Sequence, residues 1–136
     1  MNGIKPYLTF AGNCEEAFNF YAESLSGKIS TIVRFEESGM PLPDEWKQKV
    51  YHVTLEFGDT AIMASDSFPG QPPVVGNNIS LAIGMDEVKD IEAAFAKLSA
   101  GGTITMPLQK TDWSKMFGMC IDKFGIPWMF NCNQEA

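Results

Sequence analysis

The chain has 136 residues, which at about 150 residues per domain allows one domain or two small packed modules. Hydrophobic residues at 45% and charged residues at 20% describe a globular chain rather than a disordered one. Ten basic against seventeen acidic residues give a net charge of −7, which repels polyphosphate and argues against nucleic acid or an anionic membrane surface as partner.

Taken in chain order, Ile4–Phe10 (IKPYLTF) reads as a short strand, with Pro6 at its start or on a sheet edge. Gly12-Asn13 breaks it, and Asn13 is placed to cap a helix over CEEAFNFYAESL, residues 14–25. Glu15 and Glu16 suit the first turn of that helix, Ala17, Phe18, Tyr21 and Leu25 form its apolar stripe, and Gly27 closes it. Lys28–Glu37 is β-branched and alternating, a strand. The following ESGMPLPDEWKQK (37–49) has two prolines and no period, which predicts a loop long enough to gate a pocket. Tyr51–Phe57 and Thr60–Ser65 alternate and meet at Gly58-Asp59, a hairpin.

The pattern then restarts after a proline-rich linker at 67–78. Ile79–Ile83 is a strand, and Asp86 is placed to cap a helix with the stripe Val88, Ile91, Phe95 and Leu98. Gly101-Gly102 ends that helix, TITMPL follows as a strand, and Phe117–Ile121 with Trp128–Asn131 forms a hairpin around Asp122–Gly125. Cys14, Ala17, Tyr21 and Gly27 align with Val88, Ile91, Phe95 and Gly101 at an offset of 74, and Phe57-Gly58 with Phe124-Gly125 at 67. The difference falls in the long loop of the first half. Two β-α-β-β-β modules, about 1–66 and 79–133, thus make an α+β domain with one helix on one face of each sheet. In Tyr51–Phe57 the set Tyr51, Val53, Leu55, Phe57 is expected to face the helix, leaving His52, Thr54 and Glu56 on the opposite face.

Three cysteines (Cys14, Cys120, Cys132) with no CxxC indicate neither a disulfide framework nor a structural zinc site. The opening MNGIKPYLTF lacks the pattern of a signal peptide, and no apolar run approaches the ~20 residues of a membrane span. A cytoplasmic protein is expected.

PYLTFAGNCEEAFNFY (6–21), HVTLEFGDTAIMASD (52–66), MDEVKDIEAAFAKLSAGGTITMPL (85–108) and TDWSKMFGMCIDKFGIPWMFN (111–131) carry a family resemblance over almost the whole chain. In these stretches the sequence resembles the vicinal oxygen chelate superfamily of glyoxalase I, bleomycin-resistance proteins and extradiol dioxygenases. Within it, the chain is similar to a bacterial branch labelled demethylubiquinone 3-methyltransferase-like. The resemblance implies paired modules whose mixed sheets curl into a cup, with the helices on its outer face and homodimers common. It also implies metal ligands on the first and last strand of each module, usually His, Gln or Glu. Those places fall on Pro6, Ile62, Ser80 and Met129, give or take one residue. None is a plausible divalent-ion ligand in an N/O site, so no metal and no cofactor are expected. The methyltransferase label finds no support either. A methyl donor of the S-adenosylmethionine type is usually held by a glycine-rich turn in a parallel sheet, and here that turn is AGNCEEA.

His52 is the single histidine and the candidate catalytic or proton-shuttling group, oriented by Asp66 or Glu56. The alternative is a histidine satisfied by a neighbouring strand. Asp66 has its own alternative, an Asx cap opening the linker. Trp113, in the polar stretch KTDWSK, is a pocket wall or dimer contact, whereas Trp128 belongs in the core. Strand parity puts Met129 and Asn131 opposite Trp128, and Met106, Met116, Met119 and Met129 offer an adaptable apolar lining. The candidate ligand-binding set is therefore His52, Thr54, Asp66, Trp113, Met129 and Asn131. The expected function is small-molecule binding or metal-independent catalysis in the sheet pocket, in a homodimer. A metal-dependent glyoxalase-type lyase, isomerase or dioxygenase is one alternative, and a dimeric interaction module without ligand is another.

Overall fold

A computed structural model describes residues 3–133. The chain divides into two compact units, one ending at Val74 and the next beginning at Val75. The first contains β1 (Tyr7–Phe10), α1 (Cys14–Leu25), β2 (Lys28–Arg34), β3 (Val50–Phe57) and β4 (Thr60–Asp66). The second contains β5 (Leu81–Met85), α2 (Val88–Ser99), β6 (Thr103–Gln109), β7 (Ser114–Ile121) and β8 (Pro127–Asn133). Each unit is one four-stranded mixed sheet, ordered β1-β4-β3-β2 and β5-β8-β7-β6. The first strand of each pairs parallel with the last, and the other pairings are antiparallel. This is the α+β glyoxalase-like fold with two βαβββ modules. Among the described residues no helix is long and apolar enough to cross a membrane.

Each helix buries its apolar stripe on its own sheet. In α1 that stripe is Cys14, Ala17, Phe18, Tyr21 and Leu25, and the first sheet supplies buried Phe10, Val53, Leu55, Ile62 and Ala64. Phe18 meets Phe10 and Tyr21 edge-on, with centroids 6.2 and 5.6 Å apart. In α2 the buried residues are Ile91, Ala94, Phe95 and Leu98, with Val88 only half-buried, and Phe95 packs edge-on against Phe130 at 5.1 Å. Trp128 lies in that core as expected, its indole N–H donating to Asp122 Oδ2 at 2.8 Å.

Several local expectations need correction. Strand β1 begins at Tyr7 rather than Ile4, β2 stops at Arg34, and β5 starts two residues later than expected. Phe35–Ser38 and Asp44–Trp46 form 3-10 turns where the sequence pattern predicts a strand end and a loop. Asn13 occupies the N-cap position of α1 without a side-chain cap bond, and Glu87, not Asp86, precedes α2. Ser26, in the left-handed conformation (φ 53), ends α1. Gly27 is needed for another reason. A Cβ there would lie 2.9 Å from the Glu56 carbonyl oxygen. Its counterpart is Gly102, one place beyond the aligned Gly101, where a Cβ would overlap the Ile121 carbonyl oxygen.

The repeat offset of 74 holds for the helices. It drops because fifteen residues (35–49) join β2 to β3 where four (110–113) join β6 to β7. The longer connection is tied down. The Phe35 N–H donates to Lys49 O, Lys49 Nζ donates to Gly12 O, and the Trp46 indole N–H donates to Ser67 O. Arg34 forks onto both Glu15 oxygens at 3.0 and 2.8 Å and reaches Gln48 O at 2.8 Å.

The Arg34 hydrogen bonds hold the Glu15 carboxyl below its ordinary value of 4.5. A carboxyl depressed in the folded state adds stability above its unfolded-state value, lost as pH falls through the folded-state one. Both side chains are partly exposed, so the contribution stays under about 1 kcal/mol. Urea midpoints followed from about pH 7 to about pH 3 should therefore fall more steeply for the wild type than for Arg34→Met, converging in acid. Parallel curves would show that the ion pair contributes nothing.

Candidate functional site

The face of the first sheet turned away from α1 carries the row Tyr7, Met63, Thr54 and Thr31, aligned by strand register. His52 lies beside this row, between two hydroxyls. Tyr7 Oη is 3.1 Å from Nδ1 and Thr54 Oγ1 is 3.0 Å from Nε2. Each hydroxyl donates or accepts as needed, so either neutral tautomer of the ring, or its cation, is held in place. The Tyr7 and His52 rings approach to 5.7 Å between centroids. His52 is thus satisfied by its neighbours and also reaches an opening.

That opening is a cavity of about 350 Å³ lined by Tyr7, Phe35, Tyr51, His52, Ser65, Asp66 and Phe68. Phe35 is the buried member of this lining. Tyr51 and Phe68 stand nearly perpendicular to it, at 81° and 74°, with centroids 5.4 and 5.7 Å away. Tyr7, Tyr51 and Phe68 remain 49, 40 and 44% exposed, so the aromatic surface is open to solvent rather than sealed in the core.

Strict alternation puts Tyr51 on the helix side, and the backbone explains why it is not there. Val33 pairs with His52 but Arg34 pairs with Val50, so β3 carries one extra residue at Tyr51. This β-bulge moves Val50 into the buried set and turns Tyr51 to the cavity beside His52. Pattern alone assigns Phe35 to a strand and Phe68 to the linker, and neither to a site. The sequence signal available for Phe68 is a large aromatic stranded in a Pro/Gly-rich stretch (DSFPG). The 37–49 loop contributes no residue to this lining; it lies against Gly12 and Ser67 instead.

Asp66 lines the cavity but orients neither His52 nor the linker. Its Oδ1 accepts the Gly12 and Cys14 N–H groups and its Oδ2 accepts the Val50 N–H, all at 2.9 Å. It is 3% exposed and caps α1 from the end of β4, the role that local sequence assigns to Asn13. Glu56 sits at the far end of the same sheet, lining a second hollow with Lys5 and Asp59.

In the second unit Met129 aligns with Ala82, Met119 and Met106 in one cross-strand row, and Asn131 with Gly84 and Phe117 in another. Trp113 is 65% exposed and packs edge-on against Phe117 at 5.9 Å. Trp113, Met129 and Asn131 therefore share the sheet face turned away from α2.

The places where the resemblance implies metal ligands do not fit a divalent ion. Pro6 precedes β1, Ile62 is buried with Leu55 on the α1 side, and Ser80 precedes β5. A shift of one residue brings Tyr7 and Met63 onto the open face of the first sheet, and offers only Ile79, Leu81, Trp128 or Phe130 beside Ser80 and Met129 in the second, still without a His, Gln or Glu. Among the described residues no three His, Cys, Asp or Glu side chains cluster to hold an ion. A methyl-donor site of the parallel-sheet type does not fit either. The sheets are mixed, and the Gly12 and Cys14 amides at the start of α1 are already taken by Asp66.

The cysteines are buried thiols. Burial, then Asp66 and Glu15, pushes Cys14 far above the ordinary thiol range, and burial with Asp122 pushes Cys120 up to about 11. The native protein should resist a thiol-reactive disulfide reagent, and all three cysteines should react in denaturant. Rapid labelling of any one in the folded protein would contradict this burial.

The family model described as 3-demethylubiquinone-9 3-methyltransferase matches residues 2–130. Protein YjdN of Escherichia coli (strain K12) is 33% identical over 94% of this chain and 93% of its own length. The crystal structure of protein PA1353 from Pseudomonas aeruginosa is 39% identical, with a TM-score of 0.88 over 99% of this chain and all of that one. A glyoxylase/bleomycin resistance protein/dioxygenase domain from Frankia sp. EAN1pec shares the fold, at 15% identity and a TM-score of 0.71 over 98% of this chain and 99% of that one.

Proposed function

Because this chain belongs to the 3-demethylubiquinone-9 3-methyltransferase family and has the glyoxalase-like fold, we propose that it binds a small organic molecule without a metal, in the aromatic cavity of its first unit. The observation that carries this reading is the β-bulge that turns Tyr51 out of the core to join Tyr7, Phe35, Phe68 and His52 around one opening. A cavity of about 350 Å³ falls at the small end of the ~300–1,000 Å³ range of ligand sites. Its mix of aromatic walls and a few polar groups is the usual one. The rings supply contact area, while the Tyr7 and Tyr51 hydroxyls and His52 fix the polar end of the ligand. If the bound molecule reacts, His52 is the group that takes or gives a proton.

The donor chemistry at the four inherited positions supports the metal-free part of this reading. Calorimetric titration with Ni²⁺, Zn²⁺ and Mn²⁺ tests it. No stoichiometric binding is expected. Stoichiometric binding that disappears in His52→Ala would overturn the metal-free reading in favour of a lyase or isomerase of the glyoxalase type.

A further inference from the structure

The lining of this cavity also selects the charge of its ligand. We infer that the site takes an organic cation, a compact ammonium or quaternary ammonium group; this rests on the cavity being the binding site proposed above. The first observation is the arrangement of rings. Tyr51 and Phe68 each stand nearly at right angles to Phe35, and Tyr7 lies on the same opening. The π-face of an aromatic ring is its electron-rich side, so a cation seated over the faces of these rings is attracted, whereas an anion meets favourable ring surface only at the edges.

The second observation is the local balance of charge. The lining includes one carboxylate, Asp66, and neither lysine nor arginine. Two basic side chains of this unit are engaged elsewhere. Lys49 donates to Gly12 O, and Arg34 is held by Glu15 and Gln48 O. Asp66 accepts three backbone N–H groups, which fixes its carboxylate at the wall. The net charge of −7 adds a field that draws cations toward the whole molecule. The remaining polar groups are the His52 ring, held by Tyr7 and Thr54, and the hydroxyls of Tyr7, Tyr51 and Ser65; none of them is a permanent cation, so that preference stands.

Choline and its neutral isostere 3,3-dimethyl-1-butanol separate charge from shape, because they differ chiefly in replacing nitrogen by carbon. Titration of the full chain with each, followed by amide and side-chain NMR shifts, reads both affinity and place. Choline is expected to shift the signals of Tyr51, His52 and Phe68 and to bind roughly tenfold tighter than the isostere. Phe68→Leu keeps an apolar side chain at a half-exposed position and should remove most of that ratio, while Phe68→Tyr should keep it.

Equal or tighter binding of the isostere at the same residues would overturn the cation inference and leave the binding-site reading standing. The cation inference falls in the same way if 3,3-dimethylbutanoate, an anion with the same tert-butyl group as the isostere, shifts these residues and choline does not. If none of the three probes shifts these residues, the cation inference fails. The binding-site reading is then judged separately by a broader ligand screen.

Discussion

Asp66→Ala is expected to destabilise the protein by about 4 kcal/mol, the largest effect of any single side-chain truncation outside the apolar core. The carboxylate accepts N–H groups from three separate segments, at Gly12, Cys14 and Val50. Each buried donor left without its acceptor costs about 1–3 kcal/mol, and loss of a helix cap costs about 1 kcal/mol. Water entering through the adjacent cavity offsets part of that sum. Asp66→Asn keeps one carbonyl oxygen but sets an amide N–H₂ against a backbone donor, so about half of the loss is expected. Urea denaturation of the three proteins measures the series. A loss below about 1 kcal/mol for Asp66→Ala would show that the carboxylate is not what joins β1, α1 and β3.

The second large effect belongs to Gly102. A methyl group at this position would overlap the Ile121 carbonyl oxygen and lie 2.9 Å from the Asp122 carbonyl carbon. These obstacles are backbone atoms of β7 and its turn, which cannot rotate away. Gly102→Ala should therefore cost about 3 kcal/mol or more. At Gly27 the obstacles are the Glu56 carbonyl oxygen at 2.9 Å, the end of the Leu55 side chain at 3.0 Å and the Phe57 Cβ at 3.2 Å, all less close than the Ile121 oxygen is to Gly102, so Gly27→Ala should cost about 1–2 kcal/mol. Gly101→Ala meets only the Lys123 side chain, but its φ of +77° makes it strained by about 1–2 kcal/mol. Thermal or urea unfolding should rank Gly102→Ala as the most damaging. A ranking that put Gly101→Ala first would mean that helix termination, rather than the close approach of α2's exit to β7, is what requires glycine here.

Asp66 and Gly102 both act between segments far apart in the chain, which is where sequence patterns stop being informative. Helical stripes, alternating strands and the repeated β-α-β-β-β order come from local periodicity, and they are legible with nearly correct boundaries. Trp128 in the core follows from parity alone. Contacts between distant segments leave no local trace. Asn13 is the right residue type beside α1 to cap it, yet the cap arrives from Asp66, on the far side of the sheet sequence. Parity fails at Tyr51 because a bulge adds one residue to β3 without any glycine to announce it. His52 and Thr54 share one face as alternation predicts, and the hydrogen bond between them follows from that placement. The aromatic partners Phe35 and Phe68 lie in a 3-10 turn and an irregular stretch, where no period exists to assign a face.

Metal-free binding in the aromatic cavity is tested most directly by a thermal-shift screen of small organic molecules in the presence of a strong chelator, run on the wild type and on Phe68→Ala. A ligand present at about a hundred times its dissociation constant adds about 2.7 kcal/mol to the folded state, an upward shift of several degrees. Stabilisers are expected that act on the wild type despite the chelator and lose their effect in Phe68→Ala. Stabilisers that vanish with chelation, or that act equally on both proteins, would contradict a metal-free site built on Phe68 and its neighbouring rings.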